Sequence, residues 1–509
     1  MLHGVRLVLA TLAVSAAGFM NVLDTTIAVV SLPTIAGNLA ATPSQGSWVI
    51  TSYGVCLAVV LPLSGWITRR FGEVHVFCVS VLLFTFTSWL CGTATSFTQL
   101  ILYRGLQGFA GGLLLPLSQS LLMRIYPPEK HGLALALWGM FSATAPVVGP
   151  LLGGYLTDSL GWPWIFYVNV PVGLVAAYMC WTLLRSHESP TRREPVDAIG
   201  LALLVVGVIC FQLVLDRGHE LDWLSSVQIR VMLCVSVACF FLFLAWERDE
   251  AHPVVDLSLF RFPNFALGNV LISIFYAIYI LGAVIYPIWM QTIMGYTATW
   301  SGIVMATTSV MPLLLMPVIG SRLRNSDPRP LVTFGAGIAA FSFYLASLTN
   351  TDVSPGYIML TRITLGFSMA FTWMPLMMQA LIGLPPQQIA TATGLFNFMR
   401  MLASSMGTAL GVTIWDDRSI YHRARLGESL SADAPGVRDL LETIGQTFPD
   451  PQSPLAVLDA MATRQARTLA IDDVFYLCMA GMFLVAVTVW FMPTKRNAGA
   501  TVSAVAAAE

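Results

Sequence analysis

Leu102-Tyr103-Arg104-Gly105-Leu106-Gln107-Gly108-Phe109 returns as Leu360-Thr361-Arg362-Ile363-Thr364-Leu365-Gly366-Phe367, and the fold is read from that recurrence. The shift is 258 residues. Without a gap, the same register lays Pro127–Pro128 on Pro385–Pro386, Ala134 on Ala392 and Leu137 on Leu395. It also lays Gly149 on Gly407 and Gly153 on Gly411. Coincidences of Gly, Leu and Ala are common in apolar helices. A shared Arg and a shared Pro-Pro pair are not.

Both copies lie in apolar surroundings. Hydrophobic residues make up 56% of the 509 positions and charged residues 10%, against roughly a quarter charged in a soluble domain. Apolar runs recur, each about the 20 residues that cross a bilayer as a helix. They fall near 7–30, 48–68, 75–94, 98–122, 133–156, 165–184, 198–216, 228–246, 265–290, 301–321, 331–348, 357–382, 393–415 and 474–492. They are too long and too unalternating for barrel strands. The expectation is an all-α polytopic membrane protein of about fourteen helices.

If the repeat pairs span four with twelve, spans one to six pair with nine to fourteen, and seven and eight are an insert. This predicts a six-helix bundle over 1–190, two inserted helices over 191–260, and a second bundle over 261–509 that carries an extracytoplasmic loop at 416–473. Two bundles related by an axis along the membrane normal place a substrate site between them, although receptors and channels also contain duplicated bundles.

Basic residues orient the chain. With the N-terminus inside, the cytoplasmic connections hold Arg69–Arg70, Arg124, Lys130, Arg185, Arg192–Arg193, Arg248, Arg261, Arg322, Arg324 and Arg329, and the tail adds Lys495 and Arg496. Among the short outer loops Arg217 is the clear exception. Both termini are expected in the cytoplasm. Arg6 and the small residues Ser15–Ala17 resemble a signal peptide, but the apolar run continues past them, so an uncleaved first helix is expected. The eight cysteines form no CxxC pair, and neither a disulfide framework nor a metal site is expected.

Charges inside a membrane helix are costly and are usually paired or functional. Asp24 lies in span one, about six residues or 9 Å below the outer surface. Arg104 lies at similar depth in span four, which runs the other way, so the two are expected to pair directly or through water. A carboxyl beside an Arg holds its proton weakly and one in apolar surroundings holds it tightly, the behaviour a proton-driven machine needs. The alternative is an ion pair that only locks helices. Asn21, Thr25 and Ala28 on the same face are expected to leave small, polar surface, and Gln107 shares the face of Arg104. Pro146, Gly149, Pro150 and Gly153, followed by Gly154, form a stripe for close helix approach, with two prolines as hinge points. Gly65, Arg69, Arg70 and Gly72 form a basic turn between spans two and three.

Trp138, Phe141, Trp289, Trp373, Met374, Met377, Asn397 and Arg400 lie within spans where aromatic, Met or polar side chains suit a cavity for varied apolar ligands. Asn21 and Gln107 join that candidate cavity. Arg400 is also placed to snorkel toward the surface, and Arg362 has no obvious acidic mate. The sequence contains no Walker loop or nucleotide-binding domain and no hydrolase or zinc motif. No cofactor beyond the proton motive force, no enzyme activity and no nucleic-acid partner are expected.

Together these segments resemble the fourteen-span drug:proton antiporters of the major facilitator superfamily over essentially the whole chain. Leu23-Asp24-Thr25-Thr26-Ile27 with Leu32-Pro33 is similar to that family's first-span signature. Arg104-Gly105-Leu106-Gln107-Gly108 is similar to its arginine motif, which implies proton coupling through Arg104, beside the proton role expected of Asp24 from its place in span one. The stretch from Pro146 to Gly154 resembles its antiporter motif, which implies export, and Trp162–Pro171 also matches. Leu215–Trp223 and Pro253–Phe260 narrow the likeness to the inner-membrane subunit of Emr-type tripartite pumps. That resemblance implies lipophilic drug-like substrates, a location in the bacterial inner membrane, a periplasmic adaptor (membrane fusion protein) and an outer-membrane channel, with 416–473 as a contact surface. The superfamily's loop motif has an Asp where this chain has Arg69, so Arg69 and Glu73 are expected to form a rearranged cluster. Export of one endogenous metabolite or siderophore, or a sensor built on the same fold, are the competing readings.

Overall fold

The computed structural model describes residues 4–61, 63–127, 130–191, 197–218, 220–250, 253–323, 327–384, 388–430, 435–447 and 453–493. Among the described residues there is no strand. The helices are α1 (Gly4–Asn38), α2 (Pro43–Gly46), α3 (Trp48–Val60), α4 (Ser64–Phe71), α5 (Glu73–Gly92), α6 (Phe97–Gly111), α7 (Leu114–Ile125), α8 (His131–Ser159), α9 (Trp164–Tyr167) and α10 (Asn169–Leu184). They continue as α11 (Ala198–Arg217), α12 (Val227–Asp249), α13 (Pro263–Thr292), α14 (Ala298–Leu323), α15 (Pro328–Ala346), α16 (Pro355–Leu381), α17 (Ile389–Ser429), α18 (Pro435–Thr447) and α19 (Ser453–Thr488). Pro128, Pro385, Pro386, Arg192, Arg193, Arg324, Lys495 and Arg496 lie outside the described residues.

Ten helices among the described residues are long and apolar enough to cross a membrane, or eleven if bent α3 and α4 form one span. The helices α8, α16 and α17, of 29, 27 and 41 residues, are not in that set. Each interleaves apolar residues with Pro, Gly, Ser, Thr or Arg. Phe86, Leu102, Phe109, Phe241 and Phe483 stand exposed on the outside of the bundle. Such a girdle of bare apolar side chains needs lipid around it. This is a multi-pass membrane protein.

Local signals explain the element boundaries. Ser96 caps α6 by accepting from Gln99 N, and Ser354 caps α16 by accepting from Tyr357 N, so the repeat extends to the capping residues. Asp197 caps α11 through Gly200 N at 2.8 Å, and α13, α15 and α16 each open on a proline, which needs no amide there.

The repeat also governs packing. α1, α3, α5, α6, α8 and α10 pack together, as do α13 to α17 with α19. Gly108 of α6 lies against the backbone of Tyr53 in α3, where a Cβ would meet Tyr53 Cα at 3.0 Å. Its counterpart Gly366 of α16 lies against the backbone of Thr308 in α14. Gly153 of α8 abuts Ile27 of α1, and Gly411 of α17 abuts Leu281 of α13. Equivalent glycines therefore make equivalent helix contacts.

Between the halves, α8 lies on α14, α3 on α17 and α1 on α13. They close at the end where α1 finishes, called here the Asn38 end. There Ile27, Leu32 and Ile35 share one apolar cluster with Ile285, Ile288 and Trp289. Gln291 Nε2 donates to Val30 O at 2.7 Å. Asp158, at the end of α8, accepts from Ala298 N at 3.3 Å and Thr299 N at 2.7 Å, capping α14 across the interface. Toward the Gly4 end the first half has its own cluster around Val14, Phe77 and Leu121, and α3 and α17 continue as a seam.

The inserted helices pack on each other, and α11 lies against α3 and α17. Only 17% of the apolar window of α12 is buried, so α12 faces lipid. Segment 416–473, expected as a loop, is mostly helical. α17 runs on to Ser429, α18 follows, and α19 begins at Ser453. Arg418 and His422 of α17, one turn apart, both reach Asp473 at 2.6 and 2.7 Å, and Arg423 pairs with Asp459. Polar ties between two helices hold this arm together, a pattern that hydropathy does not register.

Asp158→Ala removes an N-cap worth about 1 kcal/mol that also bridges the halves. It is expected to raise the rate at which a cysteine placed at buried Val30 is modified from the Asn38 side by about fivefold. Maleimide labelling in a background without the native cysteines checks this, and an unchanged rate would show that the cap does not help to hold that end shut.

Candidate functional site

Asp24 is fully buried in α1. A lone carboxylate in such surroundings is strongly destabilised, and this one is answered by three side chains from two other helices. Arg104 Nη1 donates to Oδ2 at 2.5 Å, and Gln107 Nε2 and Asn169 Nδ2 donate to Oδ1 at 2.9 Å each. Arg104 is equally buried. Its Nη1 also donates to Gln107 Oε1 at 2.8 Å and its Nε to Val49 O at 3.1 Å. Its Cζ lies 4.3 Å from the centre of the Tyr53 ring and 5.5 Å from that of Phe166. Asn169 further donates to Ser88 Oγ at 3.1 Å, which donates to Phe166 O at 2.9 Å. Helices α1, α3, α5, α6 and α10 thus converge on one ion pair.

Asn169 escaped the sequence reading as a site residue, although it stands in the Trp162–Pro171 stretch. The available signal was a single amide among aromatic residues at the start of a span.

The second half carries the same arginine without the acid. Arg362 is fully buried, lies 3.9 Å from the centre of the Tyr286 ring, and none of its three guanidinium nitrogens has a hydrogen-bond partner among the described residues. In the 258-residue register Asp24 corresponds to Gly282. A Cβ at Gly282 would sit 3.6 Å from Arg362 Nη1. The position of the acid is preserved, and glycine occupies it. Arg362 is packed into the second half and does not face a cavity.

Several expected cavity residues lie elsewhere. Asn21 is buried and donates to Gly111 O at 2.7 Å, because Gly111 lets α6 come close to α1. Ala28 is buried beside it, so that face of α1 is a packing surface. Gln107 belongs to the ion-pair cluster. Trp289 is fully buried and donates to Thr468 Oγ1 at 3.3 Å inside the second half. Trp138 lies beside Gly18 and donates to Ser118 Oγ at 2.9 Å, and Phe141 is half-buried. Met374 is exposed on α16. Arg400 does not snorkel. Its guanidinium lies 4.4 Å from the Tyr276 ring and 4.9 Å from that of Trp373, with Nε unpartnered and no acidic partner among the described residues. Met377 and Asn397 are half-buried, with Asn397 Nδ2 on Thr393 O at 2.9 Å.

The small-residue stripe of α8 is two adjoining stripes. Gly149 and Gly153 face Thr26 and Ile27 of α1, whereas Pro150 and Gly154 face α14. A Cβ at Gly154 would meet Thr299 Cα at 2.7 Å. The first pair serves packing within a half and the second serves contact between halves. Pro146 shares the same uninterrupted helix.

Residues 14–408 match the sequence profile described as Major Facilitator Superfamily. The chain belongs to the Major Facilitator Superfamily. Within it the chain is of EmrB type, 42% identical over 503 residues to the multidrug export protein EmrB of Escherichia coli K12, with 98% of each chain covered. It is also 38% identical over 499 residues to the fatty acid resistance protein FarB of Neisseria gonorrhoeae, again with 98% of each covered. Among solved structures, an auto-inhibited POT-family peptide transporter shares the fold, with a TM-score of 0.66 at 14% identity and 96% of each chain covered. A bacterial homologue of the human lysosomal transporter Spinster in an inward-facing, unoccupied conformation scores 0.61 at 15% identity, covering 96% of this chain and 98% of that one. The protein is a transporter, not an enzyme.

In this superfamily member the loop between the second and third spans is built differently from expectation. Glu73 pairs with Arg124 at 3.1 Å rather than with Arg69, because both stand where α5 begins and α7 ends. Arg70 lies over Trp66 and Phe71, and Gly65 and Arg69 lie on α4. Gly72 has φ +89°, and a Cβ there would meet Glu188 Cδ at 2.6 Å. Only glycine fits that conformation comfortably. Glu188 in turn accepts from Val74 N and His75 N at 2.9 Å each, a carboxylate on a helix N-terminus.

Gly154→Val forces α8 off α14 and is expected to lower efflux of a fluorescent lipophilic compound from cells at least about tenfold. Gly139→Val on the same helix, where an added Cβ meets nothing within 4 Å, should leave efflux unchanged at equal amounts of membrane protein. Equal effects of the two would refute the close-contact role of Gly154.

Proposed function

We propose that this chain is a proton-coupled antiporter that exports hydrophobic or amphipathic compounds across the bacterial inner membrane. It does so as fourteen spans divided at 1–190, 191–260 and 261–509, with both termini in the cytoplasm. The observation that carries the reading is the Asp24–Arg104 pair, fully buried and bonded by four helices.

Ionised Asp24 draws α6 and α10 onto α1. When Oδ2 takes a proton the charge is gone, and the Arg104 bond weakens to that of a neutral acceptor. Arg104 then keeps Val49 O, Gln107 Oε1 and the two rings. The clamp on α1 loosens, and α1 touches the other half through Val30 and Gln291, so protonation alters the closure of the Asn38 end. One proton enters and one compound leaves. A membrane potential contributes about 2.3 kcal/mol per charge per 100 mV and each pH unit about 1.4 kcal/mol, together enough for a gradient of several hundredfold (about 2.7 decades) of an expelled compound.

The names of EmrB and FarB support lipophilic compounds as the passengers, and Arg400 between Tyr276 and Trp373 favours those with an acidic group. A guanidinium flanked by aromatic faces attracts a carboxylate or phenolate while the rings take up its apolar body. The arm at 416–473 is the proposed surface for a periplasmic adaptor that leads to an outer-membrane channel.

In proteoliposomes, an imposed pH gradient is expected to drive accumulation of a fluorescent lipophilic compound, and Asp24→Asn should reduce it to the level of protein-free liposomes. Gradient-independent movement in the wild type would sink proton coupling. Arg400→Gln should reduce transport of amphipathic acids about tenfold or more while sparing neutral lipophiles. Equal losses for both classes would reject Arg400 as a selector.

A further inference from the structure

Where the inserted helices meet α3, Asp216 near the end of α11 accepts from Thr51 Oγ1 of α3 at 3.0 Å and from Gln212 Nε2 at 3.0 Å. Arg217 lies over the Trp48 ring at 5.9 Å, and Gln45 Nε2, just before α3, donates to Glu220 Oε1 at 2.5 Å. All three ties grip the start of α3. Ser47, at the N-cap position, does not cap that start with its side chain. The same turn holds Val49, whose carbonyl accepts from Arg104 Nε at 3.1 Å. A single residue, Ile50, separates the one whose carbonyl steadies Arg104 from the one tied to the insert.

We infer that Asp216 is a positioning residue for the proton site, holding the first turn of α3 through Thr51 so that Val49 O meets Arg104. This rests on Asp24 being the site that exchanges the proton, and it gives the inserted helices a task that the two-bundle scheme leaves open. The stretch Leu215–Trp223, which supplies Asp216, Arg217 and Glu220, is thereby explained.

The sign of the effect follows from the contacts. If the turn slackens, Arg104 loses its backbone acceptor and holds Asp24 less well, so Asp24 binds its proton more readily. The charged and titratable groups around Asp24 are Arg104, Tyr53 and Cys91. Those around Asp216 are Arg217 on its own helix, Glu220 after it and Asp416 of α17, which shares a small cavity with Asp216 and Glu220. None of these changes in the variants below.

The test uses the full chain in nanodiscs. Dicyclohexylcarbodiimide attacks protonated buried carboxyls, and peptide mass spectrometry reports labelling of Asp24 against pH, with Asp24→Asn as the blank. Thr51→Val and Asp216→Ala are each expected to raise the labelling midpoint by about one pH unit, and the double variant no further than either. Asp216→Asn should stay near wild type, because its carbonyl still accepts from Thr51 and its amide can donate to Gln212 Oε1, which has no partner now. Unmoved midpoints, shifts that add in the double variant, or an Asp216→Asn shift equal to that of Asp216→Ala would overturn the inference. If Asp216→Ala does not assemble, Thr51→Val decides alone. The labelling reads Asp24 whether or not protons drive export. Should Asp24→Asn export like wild type, proton coupling falls while a shifted midpoint still supports the role of Asp216. Should coupling hold with midpoints unmoved, only the role of Asp216 falls.

Discussion

A guanidinium that cannot reach water has to be answered by its neighbours, and the first half of this protein is arranged around that demand. Arg104 keeps its charge at any physiological pH, so the neighbours adapt to it. Asp24 supplies the counter-charge, Val49 a carbonyl, Gln107 a bridge, and Tyr53 and Phe166 two ring faces. Such convergence needs helices that approach closely. Gly108 lets α6 lie on the backbone of α3, and Gly111 makes room for Asn21 and the Tyr53 hydroxyl, which a Cβ would meet at 2.7 and 2.6 Å. Removing one partner of such a pair strands a buried charge at a cost of about 3–5 kcal/mol. The cluster is therefore a strong constraint on the packing of this half.

The contact between halves follows another rule. At the Asn38 end it depends on shape and a few directed hydrogen bonds: Asp158 on the start of α14, Gln291 on Val30, and Gly154 on the backbone of α14. Little of this is ionic, and backbone atoms form much of it. Contacts of that kind can part and re-form without leaving buried charges behind, as alternating access requires. Within a half, where parting is not wanted, charge and close glycine packing are combined.

Much of this was legible in the residues. Matching the depths of Asp24 and Arg104 on antiparallel spans was enough to bring them together, because helical rise is fixed. The repeat was legible because its glycines mark helix contacts that both halves need. The rest was hidden for identifiable reasons. Asn169 carries no charge and so raises no alarm in an apolar run. The stripe of α8 read as one surface because spacing along a helix does not say which neighbour lies on which side, and Gly149 and Gly154 face different helices. Trp289 has the composition of a cavity residue and the surroundings of a core residue. The arm beyond the bundle is tied by Arg418, His422 and Asp473 across a separation of more than fifty residues, a pairing no local pattern announces.

Gly282 bears on what became of the duplicated bundle. Two copies of one bundle share the arginine, the capping serines and the contact glycines, yet among the described residues only the first has an acid beside its arginine. Opposite Arg362 there is a hydrogen atom and an aromatic face. The molecule is thus symmetric as a mechanism of levers and asymmetric as an electrical device. The buried arginine of one half is balanced by an acid, and the buried arginine of the other has no acid beside it among the described residues. Any voltage across the bilayer therefore pulls on an uncompensated charge at Arg362 and on a compensated pair at Arg104, so two helix sets matched in shape differ in how an electric field acts on them.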